Sequence, residues 1–368
     1  MLPPMSVSVT WDQVRSWRLG RQFLDPRTTV TAGEVVERLC GVQAQVASAA
    51  EFAVATRTGA AGEVARDLAS GALVKTWAAR GTLHLLRPDT APDVLSLLAS
   101  ARTWERPSWQ RAFGATPAQV AALADAVGAL LADGRTLSRE ELATALAADP
   151  RFTALADQLR SSWGALLKTL SWQGVLRHAP PEGNRVAFTA PPWRALPDPA
   201  EAAPRVITAY LGAHGPATPE AFDAWLLRGA LRKPLLRKWF ADLGDRLVTV
   251  DVEGRTTHLL AEHADDLATT EPTTSVRLLG PFDQHVLGPG TADPALLAPE
   301  HRPLVSRAAG WISPVVVVDG RITGTWAIDD RTVTVTPFPG HPHPDPRALR
   351  AEIEHVARAG GHDALAAG

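Results

Sequence analysis

Three times along the chain, a group of helix-forming segments is followed by a short pair of strand-forming segments. In the first group, Thr10 precedes an apolar stripe with the period of about 3.6 residues that marks a helix, and Thr31 with Glu34 forms a capping box for the next helix. Residues 47–58 continue the helical pattern, and residues 74–86 then become strand-like. Helices followed by a β-ribbon have the element order of a winged helix.

The same order recurs twice before residue 262. The second group has predicted helices and strands at 116–133, from Ser138 onward, and at 161–173, 175–178 and 185–189. The third group follows a Pro-rich linker at 191–204 and has predicted elements at 204–214, 218–227, 234–243, 247–252 and 256–261. The repeat is one of predicted structure, because sequence similarity between the groups is weak.

From residue 275 onward the sequence is rich in Val, Ile, Thr and Trp, which is typical of strands. The predicted strands lie at 276–279, 313–318, 321–328 and 331–337, and a final helix lies at 347–358. Asp319-Gly320 and Asp329-Asp330 are predicted hairpin turns. We therefore predict an α+β fold. It has three helix–wing units at 8–112, 113–197 and 198–262, a small β domain at 263–346 and a C-terminal helix at 347–368.

Charge and composition exclude several classes of protein. The 368 residues contain 37 Lys and Arg against 39 Asp and Glu, a net charge of −2, which argues against a uniformly basic surface but allows a local basic groove. The single cysteine, Cys40, excludes an internal disulfide framework and a Cys-rich zinc site. No run of about 18 apolar residues and no secretory signal are found, so we expect a cytoplasmic protein.

Common cofactor and catalytic motifs are missing from the sequence. It contains no phosphate-binding Gly-x-x-x-x-Gly-Lys loop, no Gly-x-Gly-x-x-Gly after a strand, no His-Glu-x-x-His and no Gly-x-Ser-x-Gly. His341 and His343 are flanked by prolines, which favours an exposed turn over a metal site. The polar run Asp283-Gln284-His285 is better interpreted as a loop that satisfies backbone groups than as a catalytic cluster. We predict no metal and no cofactor.

Two glutamines stand close together after the second predicted helix. In Gly41-Val42-Gln43-Ala44-Gln45, the glycine can end the helix, and a short extended step would then place both amides on one side. Amides offer donors and acceptors without charge, which suits the binding of a water molecule or a polar nucleic-acid group. From these residues alone, two helix-capping glutamines remain the simpler interpretation.

Two further features are candidates for nucleic-acid binding. The first is the acid-free run Arg228, Arg232, Lys233, Arg237 and Lys238, in which Pro234 is predicted to start a helix whose positive end could meet phosphate. A solvated helix face is an equally good interpretation of this run. The second is the hairpin from Trp311 to Trp326, whose strands are core but whose tip could probe a groove.

Several peptides together resemble the AlkZ-like family of bacterial DNA glycosylases, a winged-helix DNA-binding superfamily. They are residues 41–45 (GVQAQ), 80–86 (RGTLHLL), 279–283 (LGPFD) and 307–326 (RAAGWISPVVVVDGRITGTW). Each is weak alone, but their order and spacing make the match fairly specific over nearly the whole chain. The resemblance implies three tandem winged-helix units around a small β-barrel, with a concave basic surface for duplex DNA.

The resemblance also implies functional residues. The family's catalytic Gln-apolar-Gln motif falls on Gln43 and Gln45, and this branch is associated with excising bulky N7-alkylpurines and unhooking interstrand crosslinks made by natural products such as azinomycins. With this function in view, we predict DNA contacts at Arg80, His84, Arg232, Lys233, Arg237, Lys238, Arg307, Asp319, Gly320 and Arg321. The predicted partner is double-stranded DNA carrying alkylated or crosslinked purines, and three unlike units in one chain favour a monomer.

Chemistry is consistent with this assignment. An N7-alkylated purine is cationic and therefore a good leaving group, so the enzyme mainly has to place a water near C1′. Lys75, the only lysine in the first unit, is distant from the glutamines in sequence, so we expect hydrolysis without a Schiff base and without strand cleavage. Two alternatives remain: a non-enzymatic winged-helix regulator, and a glycosylase limited to simple methylated bases.

Overall fold

The structure is a computed structural model, and it describes residues 6–161, 164–180, 182–183 and 185–368. Two predicted features lie partly outside the described residues. Ser162 and Trp163 belong to the helix predicted at 161–173, and Pro181 and Asn184 belong to the turn predicted between the two strands of the second unit.

Helices make up most of the first two thirds of the chain. They are α1 (Trp11–Arg21), α2 (Ala32–Arg38), α3 (Ala47–Thr58), α4 (Glu63–Ser70), α5 (Ala91–Ser100), α6 (Pro107–Phe113), α7 (Pro117–Leu131), α8 (Arg139–Ala147), α9 (Ala156–Arg160), α10 (Ala165–Trp172), α11 (Pro199–His214), α12 (Pro219–Leu227), α13 (Lys233–Ala241), α14 (Ala264–Thr269), α15 (Gln284–Leu287), α16 (Arg302–Val305) and α17 (Pro346–Ala359). The capping box predicted at Thr31 is present, and Thr10 and Ser138 also form capping boxes at the starts of α1 and α8.

The strands form three separate sheets. They are β1 (Ser6–Val9), β2 (Val42–Gln43), β3 (Val74–Trp77), β4 (Leu83–Leu86), β5 (Leu137–Ser138), β6 (Arg177–His178), β7 (Ala187–Thr189), β8 (Leu247–Val252), β9 (Arg255–Leu260), β10 (Val276–Leu279), β11 (Val315–Val318), β12 (Arg321–Asp329), β13 (Thr332–Pro337) and β14 (Ala366–Ala367). The sheet orders are β1-β8-β9, β10-β11-β12-β13-β14 and β2-β4-β3-β6-β7-β5.

The β-ribbons of the first and second predicted units join in one sheet. The link is the antiparallel pair β3–β6, in which Lys75 lies opposite His178. The two ribbons are therefore fixed against each other by backbone hydrogen bonds, and residues from both units can line one cleft.

The start of the chain belongs to the third predicted unit, which the boundary at residue 8 did not anticipate. Strand β1 pairs in parallel with β8, so that Val9 lies opposite Val252. Helix α1 follows, and its Val14 and Trp17 are buried in a cluster with β8 and β9. Helix α11 also begins earlier than predicted, inside the expected linker, because Asp198 accepts a hydrogen bond from the Ala200 amide and caps it.

The predicted β-barrel is instead an open half-barrel. Its five strands run β10-β11-β12-β13-β14, and in the described residues the edge strands β10 and β14 pair with no other strand to close the circle. Helix α17 covers one face through Ile353 and Val356, while Leu19 and Leu24 lie in the core on the other face. Both faces are covered by helical segments, so the sheet needs no closure to bury its apolar residues.

A buried ion pair connects the first unit to the half-barrel. Arg57 on α3 donates two hydrogen bonds to the Asp283 carboxylate at 2.8 and 2.9 Å, and both side chains are fully buried. Asp283 also accepts a hydrogen bond from the His285 amide. These contacts agree with the interpretation of residues 283–285 as a loop that satisfies backbone groups.

In the part of the chain that the structure describes, no single helix is long and apolar enough to span a membrane. Helices α6 and α7, which are bent by 62° relative to each other, have the length and composition of a membrane span only when they are taken together. The residues that the structure describes contain no group of three or more His, Cys, Asp or Glu side chains that could hold a metal ion.

Candidate active site

The two glutamines lie on a short extended segment, as the sequence predicts. Gly41 has a φ of 98°, and it turns the chain from the end of α2 into β2. Val42 and Ala44 are buried in the core of the first unit, while Gln43 and Gln45 line a cleft. The Ala44 amide donates to the Leu83 carbonyl at 2.7 Å, which holds the segment against β4.

The two amides have different surroundings. Gln43 is 7% exposed, and its side-chain oxygen Oε1 is buried without a hydrogen-bond partner. Gln45 is exposed, and its Oε1 accepts a hydrogen bond from the Leu83 amide at 3.4 Å. The Gln43 Oε1 is therefore available to accept a hydrogen bond, and the side-chain nitrogen of Gln45 remains available to donate one.

The cleft beside the glutamines has a volume of 790 Å³. Its walls come from the first two units, from the end of α12 and from the half-barrel. They are formed by Gln43, Gln45, Lys75, Trp77, Arg80, Gly81, Thr82, Leu83, Thr103, Arg139, Lys168, Trp172, His178, Val186, Leu227, Arg228, Ala230, Phe282, Ala309 and Gly310. A second cavity of 460 Å³ adjoins it and shares Gln43, Arg80 and Arg228.

The cleft is cationic although the whole chain is nearly neutral. Five of its lining residues are Lys or Arg, and none is Asp or Glu. Burial lowers the pKa of Lys75 and of Lys168, and in Lys168 the nearby Arg228 lowers it further. Two of the four lysines in the sequence lie here, so positive charge is concentrated where the two glutamines are.

Arg80 lies at the junction of the two cavities. Its Nη1 donates to the carbonyls of Trp225 and Leu287, whereas its Nη2 is buried without a partner. Burial and, to a smaller extent, the nearby Arg228 together lower the pKa of this guanidinium to about 10, and the group stays charged at neutral pH. Arg80 is thus placed to bind an anion close to Gln43.

His84 does not fit the predicted DNA contact. It lies opposite Gln43 in the β2–β4 pair, but its side chain is 1% exposed. Burial lowers the pKa of its imidazole to about 3, so the ring is neutral. Its position indicates a packing role behind the glutamine segment.

The basic run continues from the cleft onto the surface. Arg228 lines the cleft, whereas Arg232, Lys233, Arg237 and Lys238 are exposed around the start of α13. Lys238 forms an ion pair with Asp242 at 2.7 Å, which reduces the net charge of the helix face. Arg228 is therefore the one residue of this run that lines the cleft, and the other four lie on the surface.

The hairpin tip does not project as predicted. Gly320 is buried, and a Cβ built on it would lie 2.5 Å from the Arg15 Cβ on α1. Asp319 and Arg321 are exposed beside this contact, and Arg321 lines a different cavity, next to Trp11. The backbone of the turn is therefore packed on α1 at Gly320.

The opposite end of strand β11 reaches the cleft instead. Ala309 and Gly310, both with positive φ, line the cleft in the exposed turn after the exposed Arg307. Trp311 is 42% exposed and packs edge-on against Phe282, with ring centroids 5.0 Å apart. Residues 307–311 lie within the family-like peptide 307–326. Local sequence does not indicate that this end of the hairpin, and not the Asp319-Gly320 turn, faces the glutamines.

Sequence reasoning missed most of the second unit's contribution. Lys168 and Trp172 on α10 and His178 on β6 line the cleft far along the chain from the glutamines. Lys75 also lines the cleft, so its distance from the glutamines in sequence does not exclude it as a Schiff-base nucleophile. No local signal could have shown this, because the β3–β6 pairing brings these residues together.

Comparisons with known proteins show which family the chain belongs to. The family model described as "DNA glycosylase AlkZ-like" matches residues 36–359. The "Interstrand DNA cross-link repair glycosylase" of Streptomyces sahachiroi is 55% identical over 363 residues, covering 96% of this chain and 98% of that protein. A solved structure, "Streptomyces sahachiroi DNA glycosylase AlkZ", superposes with a TM-score of 0.96 at 54% identity and covers 98% of this chain and 100% of that chain. The chain belongs to the AlkZ-like family of DNA glycosylases.

Proposed function

We propose that this chain is a DNA glycosylase that hydrolyses the N-glycosidic bond of bulky N7-alkylpurines in duplex DNA and unhooks N7-linked interstrand crosslinks. The observation that carries the proposal is the placement of Gln43 and Gln45 together in an acid-free cationic cleft. A relative named for interstrand cross-link repair supports the same substrate class. This activity would give self-resistance to a DNA-alkylating natural product such as azinomycin.

The proposed chemistry needs little from the protein besides positioning. Guanine alkylated at N7 carries a positive charge, and it leaves as a neutral base with the electron pair of the broken C1′–N9 bond. Water forms the new bond to C1′ and loses a proton to solvent. Gln43 Oε1 accepts a hydrogen bond from this water and the Gln45 amide donates one, and positioning of this kind can lower the barrier by several kcal/mol.

The cationic side chains are proposed to bind the DNA backbone. Phosphates next to the lesion would approach Arg80 and Arg228 in the cleft, and more distant phosphates would approach Arg232, Lys233 and Arg237 on the surface. Arg307, which is exposed beside the cleft, extends the same surface. A monomer in the cytoplasm stays our prediction for the working state.

Base release from duplex DNA containing an N7-alkylguanine tests the proposal. We expect wild type to release the base and Gln43→Ala and Gln45→Ala to release it at least about 100-fold more slowly, since several kcal/mol of positioning is lost. Gln173→Ala is the matched control, because this half-buried glutamine lies at the end of α10, outside the residues that line the cleft. Duplex binding without release of any lesion would favour the regulator instead.

A further inference from the structure

Part of the cleft is not used to hold the water in the proposed mechanism. This part, called the second-unit pocket, is lined by Lys168 and Trp172 on α10 and by His178 on β6, and Trp77 on β3 of the first unit completes it. Trp172 and His178 are each only 7% exposed, yet Nε1 of Trp172 and Nε2 of His178 have no hydrogen-bond partner. Buried polar atoms normally have partners, and these two unpartnered nitrogens belong to residues that line one cavity, which points to a bound ligand as their partner.

Aromatic rings form the wall behind these polar atoms. Trp77 and His178 meet edge to face with ring centroids 4.7 Å apart, and Phe188 stacks on Trp77 at 5.8 Å. Val186, which is 48% exposed, adds an apolar edge at the mouth of the cleft. An aromatic ligand could pack against this wall while its polar atoms meet the two unpartnered nitrogens.

We propose that the second-unit pocket binds the organic group that the alkylated purine carries, and that it selects an aromatic group bearing a hydrogen-bond acceptor. The proposal rests on the proposed function, because it assigns a subsite of the same active site. It makes Trp172 and His178 specificity-determining residues of the second unit, in addition to the catalytic glutamines of the first.

Size and charge support this class of ligand. The cleft volume of 790 Å³ falls in the range of about 300–1,000 Å³ typical of pockets for drug-sized molecules. The indole N–H of Trp172 can only donate a hydrogen bond, so its partner must be an acceptor. Lys168 and Arg139 line the same part of the cleft without an acidic residue, which disfavours a cationic substituent. Burial also lowers the pKa of His178 to about 3, so its ring is neutral and packs as an aromatic.

A DNA phosphate is the other acceptor that could reach the Trp172 N–H, and the test distinguishes the two. The substrates are duplexes with N7-(2-oxo-2-phenylethyl)guanine or N7-(2-phenylethyl)guanine, which have aromatic substituents of similar size and differ in one carbonyl oxygen. Base release from each is corrected for spontaneous release. Trp172→Phe removes the N–H and keeps an aromatic ring, and Trp193→Phe is the matched control because Trp193 has an unpartnered Nε1 in the same unit outside the cleft.

We expect Trp172→Phe to reduce release of the carbonyl-bearing base about tenfold relative to the other base, the factor for one hydrogen bond, and Trp193→Phe to leave the ratio unchanged. If Trp172→Phe fails to fold, His178→Phe takes its place, because it keeps the ring packing and removes Nε2. It should also reduce release of the carbonyl-bearing base relative to the other base. Equal loss on both lesions would assign the donors to a DNA phosphate, and an unchanged ratio in both cleft variants would overturn the subsite. If wild type releases neither base, the proposed function itself fails.

Discussion

Lys75 lies in the same cleft as Gln43 and Gln45, which places an amine in the proposed active site. The extended segment that carries the glutamines follows from local properties, because a glycine ends the helix before it and side chains alternate along an extended chain. Lys75 enters the same cleft only through the pairing of β3 with β4 and β6, which depends on residues far along the chain. Its presence there makes a Schiff-base route something to test directly.

We expect hydrolysis without a covalent enzyme–DNA intermediate. The cationic base leaves without an amine nucleophile, so borohydride added during turnover should trap no adduct with wild type. Lys75→Met should retain base release well above that of Gln43→Ala, because its loss removes one cationic contact and not the water-binding amide. A trapped adduct that disappears in Lys75→Met would make the lysine the nucleophile.

The element boundaries follow largely from local sequence, whereas the roles of the elements do not. Capping boxes fix the start of α1, α2 and α8, and tight turns fix the hairpins β8–β9 and β12–β13. The turn of the β11–β12 hairpin was predicted correctly, but its docking on α1 is a tertiary contact that turn chemistry does not encode. Gly41 turns the chain into strand β2, which then pairs with β4.

Gly41→Ala should damage the site through the backbone. A Cβ at this residue would lie 2.7 Å from Leu86 Cδ2 and 3.1 Å from the Leu85 carbonyl oxygen, and the φ of 98° is strained for alanine. We expect a stability loss of about 1–3 kcal/mol in urea unfolding together with slower base release, because β2 and both glutamines must shift.

Gly59→Ala is the matched control for this substitution. Gly59 also has a positive φ, 80°, but a Cβ there would meet nothing within 4 Å. It should lose stability from backbone strain alone and keep full base release. Equal activity in the two alanine variants would contradict the role of Gly41 in placing β2.

At the scale of the whole molecule, the active cleft exists only where several parts of the chain meet. The α+β class and the helix–ribbon order were predictable, while the joined six-stranded sheet, the open half-barrel and the pairing of β1 with β8 were not. These features arise from pairing between distant segments, and the sequence of an edge strand does not specify which other strand it pairs with. The predicted division into three winged-helix units stays a prediction.

The packed interior makes stability depend on pH. Burial lowers the pKa of four imidazoles to about 3 or 4, those of His84, His178, His214 and His285. Since an unfolded histidine has a pKa of about 6.5, the unfolded chain binds more protons as the pH falls below that value, and the folded state is destabilised. Each imidazole should cost about 1–2 kcal/mol between pH 7 and pH 5.

Urea unfolding measured at pH 7, 6 and 5 checks this expectation. The midpoint should fall steadily toward pH 5, and replacing the exposed His343 by Gln should leave that dependence unchanged. A midpoint that is constant over this range would mean that the four imidazoles are not buried in the neutral form.

Unhooking of a synthetic duplex with one N7-guanine–N7-guanine interstrand crosslink, followed on a denaturing gel, tests the central claim most directly. We predict that wild type converts the crosslinked band to single strands, and that the double variant Gln43→Ala, Gln45→Ala binds the duplex with similar affinity but leaves the crosslink intact. Unhooking by the double variant at the wild-type rate would contradict the assignment of the glutamines. A crosslink that survives the wild-type enzyme, with binding intact, would contradict the proposed substrate.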